Sequence, residues 1–214
     1  MAGTISLGDA APVTIEIARA VIEARDHLSE IDGATGDGDH GVNMAKGFRL
    51  VVERLDGKDF DIREGFATIG DTLLSDIGGS MGPLYGSFFT EMADALDGKT
   101  EIDPATLAAM LKAGEAAIVD LGEAKVGDKT LIDVLTPSRI AVEQAAGSGK
   151  DLSATLAALR DAAATGLEST RDLVAKRGRA ARLGERSRGV LDAGAASCEL
   201  ILRTLANGLS ERLS

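Results

Sequence analysis

The chain has 214 residues, a formal net charge of -11, 44% hydrophobic residues and only 3% aromatic ones. That length allows one domain with a substantial core, the hydrophobic share excludes global disorder, and the scarcity of aromatics favours the Leu, Ile, Val, Ala and Met of packed helices. The acidic balance argues against nucleic acid and against an anionic membrane as partners, because neutralising phosphates takes a surplus of clustered Lys and Arg.

The opening "MAGTISLGDAAPVT" has neither a basic start nor a continuous apolar region, and no run approaches ~18 apolar residues, so a cytoplasmic protein is expected. From Ile17 to Ile31, apolar residues at Ile17, Val21, Ala24, Leu28 and Ile31 recur at spacings of four and three, the mark of one buried helical face. The same rhythm predicts helices through Met44, Phe48, Val51 and Leu55, through Ile62, Phe66, Ile69, Leu73 and Ile77, and through Tyr85, Phe88, Met92 and Leu96. Asp103-Pro104, a carboxylate cap followed by a proline at the first helical position, opens a fifth helix that runs to about Gly122. A sixth, around Ile132 to Ala146, carries Pro137 and is expected to kink or to begin late. The seventh runs from Ser153 to Val174 and the eighth from about Ala195 to Leu209. Cys198, the one cysteine, lies in the apolar run "AASCELIL" and reads as a buried small hydrophobe. No segment reads as a strand, and the expectation is an all-α single domain over residues 1–214.

Glycine clusters mark the connections where chemistry would collect. In "GDGDHGVNMAKGF", Asp37 and Asp39 follow Asp32 closely, and the small residues between them let three carboxylates converge. Converging carboxylates need a cation, and an all-oxygen set suits Mg²⁺ or Ca²⁺. An EF-hand is excluded because its fifth and twelfth positions would be Gly41 and Phe48, so Mg²⁺ is the better match; the alternative is a solvated acidic turn capping the next helix. "GGSMGPLYG" runs a glycine-rich turn into a helix start, which exposes N–H groups at the positive end of a helix dipole, suited to phosphate or serving only close packing. "GDKTLIDVL" reads alone as a charged cap. "KRGRAARLGERSRG", a basic run in an acidic chain, is either a solvated surface or a supply of positive charge for an anion. "GSGKD" near Lys150 is not a Walker loop, since the upstream glycine, the following Ser or Thr and a preceding strand are all missing. Together the four loops fit a phosphoryl-transfer site.

The stretches "GDGDHGVNMAKGF", "GGSMGPLYGSFF", "GDKTLIDVL" and "GRAARLGERSRGVLDAGA", in this order and spacing, resemble the nucleotide-binding L subunit of dihydroxyacetone kinases and the matching domain of their single-chain relatives. The resemblance spans nearly the whole chain and implies an antiparallel barrel of eight helices. It implies that Asp32, Asp37 and Asp39 hold a pair of Mg²⁺ ions bridging the phosphates of ADP or ATP. It also implies nucleotide contacts from His40, Gly41, Val42 and Asn43, from Ser80 and Met81, and from Gly122, Leu131, Arg179, Asp192, Ala193 and Gly194. His40 then positions rather than acts as a base. Two departures stand out: Ala193 replaces the proline of the family's Asp-Pro-Gly, which should loosen a loop, and Met81 places a long side chain where the family has a small one.

What the resemblance implies for function is a phosphotransferase subunit that passes a phosphoryl group to dihydroxyacetone or a similar hydroxyketone held on a separate K-type partner, which supplies the acid-base residues. The nucleotide would be rephosphorylated in place by an M-type protein of the phosphoenolpyruvate phosphotransferase system. An ATP-consuming two-subunit ketose kinase and a nucleotide-binding regulator without transfer activity are the alternatives.

Overall fold

The structure, a computed structural model, describes residues 3–213. Its helices are α1 (Leu7–Ala10), α2 (Pro12–Glu23), α3 (Arg25–Gly33), α4 (His40–Leu55), α5 (Ile62–Asp76), α6 (Met81–Asp94), α7 (Pro104–Gly122), α8 (Ile132–Gly147), α9 (Leu152–Ser169) and α10 (Ala193–Ser210). The fold is all-helical. Among the described residues no helix is long and apolar enough to cross a membrane.

Local chemistry sets the helix starts. Asp61 and Glu64 form a reciprocal capping box at α5, with the Glu64 N–H 2.9 Å from the Asp61 carboxylate. Asp103 accepts from the Thr106 N–H at 2.6 Å to start α7, and Asp151 accepts from the Ala154 N–H at 2.8 Å to start α9. Each such cap contributes about 0.5–2 kcal/mol to the helix it opens.

The structure departs from the sequence expectations in four places. The helix expected through Ile17–Ile31 is broken at Ala24, where ψ is 2°. The break re-aims α3 so that α4 starts directly against it: a Cβ on Gly41 would overlap the Arg25 carbonyl and crowd Ser29. A two-residue antiparallel pair joins Ile5–Ser6 (β1) to Glu101–Ile102 (β2), too short to leave an alternating pattern. Of the two outcomes expected at Pro137, the late start does not occur: helix α8 starts at Ile132 and continues through Pro137. Helix α9 ends at Ser169 and passes into a 3₁₀ turn, Thr170–Asp172, short of Val174.

In the packing, α2 meets α4, which meets α5, and the sequence continues through α6, α7, α8, α9 and α10; α10 then packs back on α2, closing a ring of eight neighbours. Four of the five phenylalanines meet inside this ring. Phe89 packs edge-to-face against Phe88, Phe66 and Phe48 at centroid distances of 5.2, 5.4 and 6.2 Å. Edge-to-face pairs add about 0.5–1.5 kcal/mol each beyond area burial. Cys198 is buried, as its apolar run predicts.

From α4 to α10 consecutive helices alternate in direction, and this alternation builds a site. The first turns of α4, α6, α8 and α10, with the last turns of α3 and α7, line a single cavity at one end of the ring.

Candidate functional site

The cavity has a volume of about 420 Å³. Four helix N-termini converge on it, and the positive ends of their dipoles make an environment that favours an anion. Ser80 and Met81 lie where the Gly78–Gly79 turn enters α6, and this turn is tight: a Cβ on Gly82 would overlap the Ile77 carbonyl.

At the same cavity stand three carboxylates. Asp32 ends α3, half-buried, while Asp37 and Asp39 sit exposed in the turn before α4; one oxygen from each lies within 4.8 Å of the others. The His40 N–H faces the Asp32 carboxylate at 3.3 Å, so the start of α4 orients that ligand group. Crossing from the basic loop, Arg179 contacts Asp37 directly and lies 3.8 Å from Asp39. A cation thus already bridges two of the three carboxylates.

The residues singled out from sequence distribute as follows. Asp32, Asp37, Asp39, His40, Asn43, Ser80, Met81, Gly122, Leu131, Arg179, Asp192, Ala193 and Gly194 all line the cavity. Gly41 and Val42 do not: Gly41 is packed on α3, and Val42 is 43% exposed on the outer side of α4. Met81, expected to spread beside the phosphate loop, is only 9% exposed and packs into the hydrophobic core. Ala193 lies in no free loop; it is the first residue of α10, held by the Asp192 side chain accepting from the Ala195 N–H at 2.8 Å. The position that lacks the family's proline is thus a capped helix start and not a free loop.

Through the lining runs a polar relay that apolar periodicity conceals. His40 Nε2 is 2.9 Å from Ser197 Oγ, which is 2.7 Å from the Tyr85 hydroxyl, and that hydroxyl donates to the Gly194 carbonyl at 3.0 Å. Tyr85 and Ser197 sit among the apolar positions of α6 and α10, and the only sequence signal for them is that Tyr85 is the sole tyrosine. Burial lowers the His40 pKa against the opposing pull of Asp32 and Asp39, which keeps the imidazole neutral. Burial likewise pushes Tyr85 well above its ordinary value. Asp192 keeps part of its surface open to the cavity but is otherwise enclosed, and this pushes its carboxyl up to about 6 despite the Ala195 N–H and the nearby Lys129.

"GDKTLIDVL" does more than cap a helix with charge. Asp133 is buried and accepts from the N–H groups of Gly127 and Thr130 at 2.5 and 2.7 Å, while Lys129 is turned inward and buried.

Comparison with known proteins gathers these elements into one group. The DAK2 domain matches residues 34–207, and the chain belongs to that family. It is 40% identical over 197 residues to the PEP-dependent dihydroxyacetone kinase 2, ADP-binding subunit DhaL, of Listeria innocua, covering 90% of each chain. It also resembles the crystal structure of the native dihydroxyacetone kinase of C. freundii, with a TM-score of 0.71 at 27% identity over 92% of this chain and 34% of that one. The structure of that kinase with AMP-PNP and Mg²⁺ matches at 0.68 and 26% identity, over 92% of this chain and 33% of the other. The chain therefore spans about a third of the C. freundii kinase.

Proposed function

We propose that this chain is the nucleotide-holding subunit of a dihydroxyacetone kinase: it binds ADP or ATP with Mg²⁺ in the cavity and presents the terminal phosphoryl group to dihydroxyacetone or a similar hydroxyketone held on a K-type partner subunit. The observation that carries this reading is the meeting of opposites in one cavity, three convergent carboxylates beside four helix N-termini. The ADP in the name of the Listeria innocua relative, and the AMP-PNP and Mg²⁺ of the C. freundii complex, support the ligand.

The donor set fits a hard divalent cation. It is all oxygen, and two of the carboxylates are half exposed, leaving room for the waters that Mg²⁺ retains. The Arg179 guanidinium between Asp37 and Asp39 indicates that their charge calls for a cation. Asp32, Asp37 and Asp39 would hold the metal as a pair of ions, and the chemistry it would supply is to offset the charge of the nucleotide's phosphates. The chain's own residues do the rest. First-turn N–H groups of α6, with Ser80 and Met81, hold phosphate oxygens, and Asp192, Ala193 and Gly194 border the nucleotide at the start of α10. Leu131 and Gly122, with Ile118 and Leu84 beside them, form an apolar wall for the base. Neutral His40, tied to Ser197, positions Asp32 through its backbone N–H instead of moving a proton. The acid-base groups for the ketone belong to the K-type partner in this reading.

The phosphoryl source is proposed to be phosphoenolpyruvate, delivered by an M-type protein that rephosphorylates ADP without its release, in line with the name of the Listeria innocua relative. Calorimetric titration with ADP, with and without Mg²⁺, tests the site: binding that ignores Mg²⁺ overturns the reading. Reconstitution with the K-type and M-type proteins tests the transfer. Ketone phosphate should form from phosphoenolpyruvate with ADP in catalytic amount; turnover on ATP without the M-type protein would establish the ATP-consuming alternative, and binding without any transfer the regulatory one.

A further inference from the structure

Lys129 carries two unfavourable features at once. It adopts a left-handed backbone, φ 62°, which a side chain with a Cβ disfavours, and its ammonium is removed from water with the residue only 2% exposed. No carboxylate lies within ion-pair distance of it among the described residues. Instead its three N–H donors are all spent on main-chain carbonyls: Thr170 at 2.7 Å, Val190 at 2.7 Å and Leu173 at 3.2 Å.

Those carbonyls stand at the two roots of the basic segment, residues 174–189. Thr170 and Leu173 lead into it from α9, and Val190 leads out of it toward Asp192 and α10. Neighbouring bonds bind the same roots. The Asp128 carbonyl accepts from the Lys176 N–H at 3.0 Å, the Asp128 carboxylate lies 3.5 and 3.6 Å from Lys176 and Arg177, and the Gly189 N–H donates to the Arg171 carbonyl at 2.8 Å. Thr170 Oγ1 also accepts from the Asp192 N–H at 3.2 Å. Between the roots the chain crosses to the cavity, where Arg177 to Ala180 form part of the wall and Arg179 reaches the carboxylates.

We propose that Lys129 is a positioning residue for the nucleotide site: its ammonium clamps both roots of the basic segment so that Arg177–Ala180 wall the cavity and Arg179 meets the acidic triad. This rests on the cavity being the nucleotide site. Asp128 and Ser187, which accepts from the Ala175 N–H at 2.9 Å, secure the segment further along, but among the described residues Lys129 alone joins its entry, its exit and the loop before α8.

The test uses the full chain with Lys129→Ala, read two ways. Trypsin cleavage after Arg177, Arg179, Arg182 and Arg186, followed by mass spectrometry without nucleotide, reports the segment; calorimetry with ADP and Mg²⁺ reports the site. Cleavage there should accelerate at least tenfold over wild type while sites elsewhere and the helical circular dichroism hold, and ADP affinity should fall at least tenfold. Propylammonium, the fragment removed, should restore both, and propanol at equal concentration should restore neither. A folded variant with unchanged segment cleavage overturns the proposal, as does equal rescue by propanol. If Lys129→Ala does not fold, Lys129→Met keeps the apolar stem and loses the ammonium, and the same two readouts decide. If neither folds, Lys129 serves the whole fold and the proposal fails. Because the protease readout needs no nucleotide, a wild type that binds no ADP sinks the nucleotide reading while the clamp is still judged on its own.

Discussion

Replacing Arg179 by alanine should move two affinities in opposite directions. In the structure its guanidinium occupies the space between Asp37 and Asp39, where the proposed metal must enter. Both side chains of the tighter pair are about half exposed, 60% for Arg179 and 50% for Asp37, so the pair is screened and its net worth is that of a surface ion pair, about 0.2–1 kcal/mol. Removing the competitor should therefore raise affinity for Mg²⁺, in the absence of nucleotide, by about 1.5- to 5-fold. In the proposed site, nucleotide binding would free the guanidinium for the phosphates, where charge-assisted hydrogen bonds contribute about 1.5–3 kcal/mol, so ADP affinity at saturating Mg²⁺ should fall about 10- to 150-fold. Manganese titration followed by electron paramagnetic resonance reads the first quantity, and calorimetry with ADP reads the second. If the metal affinity of Arg179→Ala falls or stays level, the arginine is not competing for the carboxylates and the argument from their charge is wrong.

Asp37→Asn should change thermal stability by less than about 1 kcal/mol in the absence of metal, since relief of repulsion within the triad is set against loss of the Arg179 ion pair, yet should weaken Mg²⁺-dependent ADP binding at least ~100-fold, more than loss of an outer-shell partner of a metal site; retained binding refutes the triad as ligands. Ala193→Pro places proline at the first position of α10 behind an extended residue, Asp192 at φ -84° and ψ 132°, and should stabilise by about 0.4–1 kcal/mol; a lower melting temperature would show that the ring has no room there. Asp192 titrates at about 6 in the fold against an ordinary 3.8, so its protonated form is favoured by folding and its contribution is lost as pH rises from about 4 to 6. Two units correspond to about 3 kcal/mol, reduced to about 1–2 kcal/mol by the part of its surface open to cavity water. Asp103 and Asp128, held low by backbone N–H groups, act with the opposite sign as pH falls, so the readout is the difference between wild type and Asp192→Asn in urea unfolding across this range; a difference that does not change with pH refutes the shift.

Much of the fold was legible because burial imposes a 3.6-residue rhythm on the sequence. All eight periodic segments are helical over most of their length, the first as two helices and the seventh ending early at Ser169, and Asp103-Pro104 starts α7 where its cap chemistry requires. Legibility failed where structure depends on partners distant in sequence. The break at Ala24 leaves the apolar period intact and answers to α4 packing through Gly41. β1 and β2 are strands only because residues 95 and 97 positions apart pair. Tyr85 and Ser197 were hidden for the same reason: each occupies an apolar position on its own helix and becomes a polar relay only when α6 and α10 meet at His40.

The sequence alone determined the helical class, the acidic cluster and its proximity within eight residues, and the small turns that let it converge. These are local properties, set by periodicity, by charge and by the absence of side-chain bulk. Tertiary structure decided what the cluster faces. Alternating helix direction brings four N-termini to the same end of the ring, which no single segment encodes. It also decided that Lys129, an ordinary charged residue in its own loop, lies buried against carbonyls of Thr170, Leu173 and Val190, and that Arg179 reaches across to Asp37. Those contacts span 41 to 142 positions of chain, and only packing can bring such groups within bonding distance.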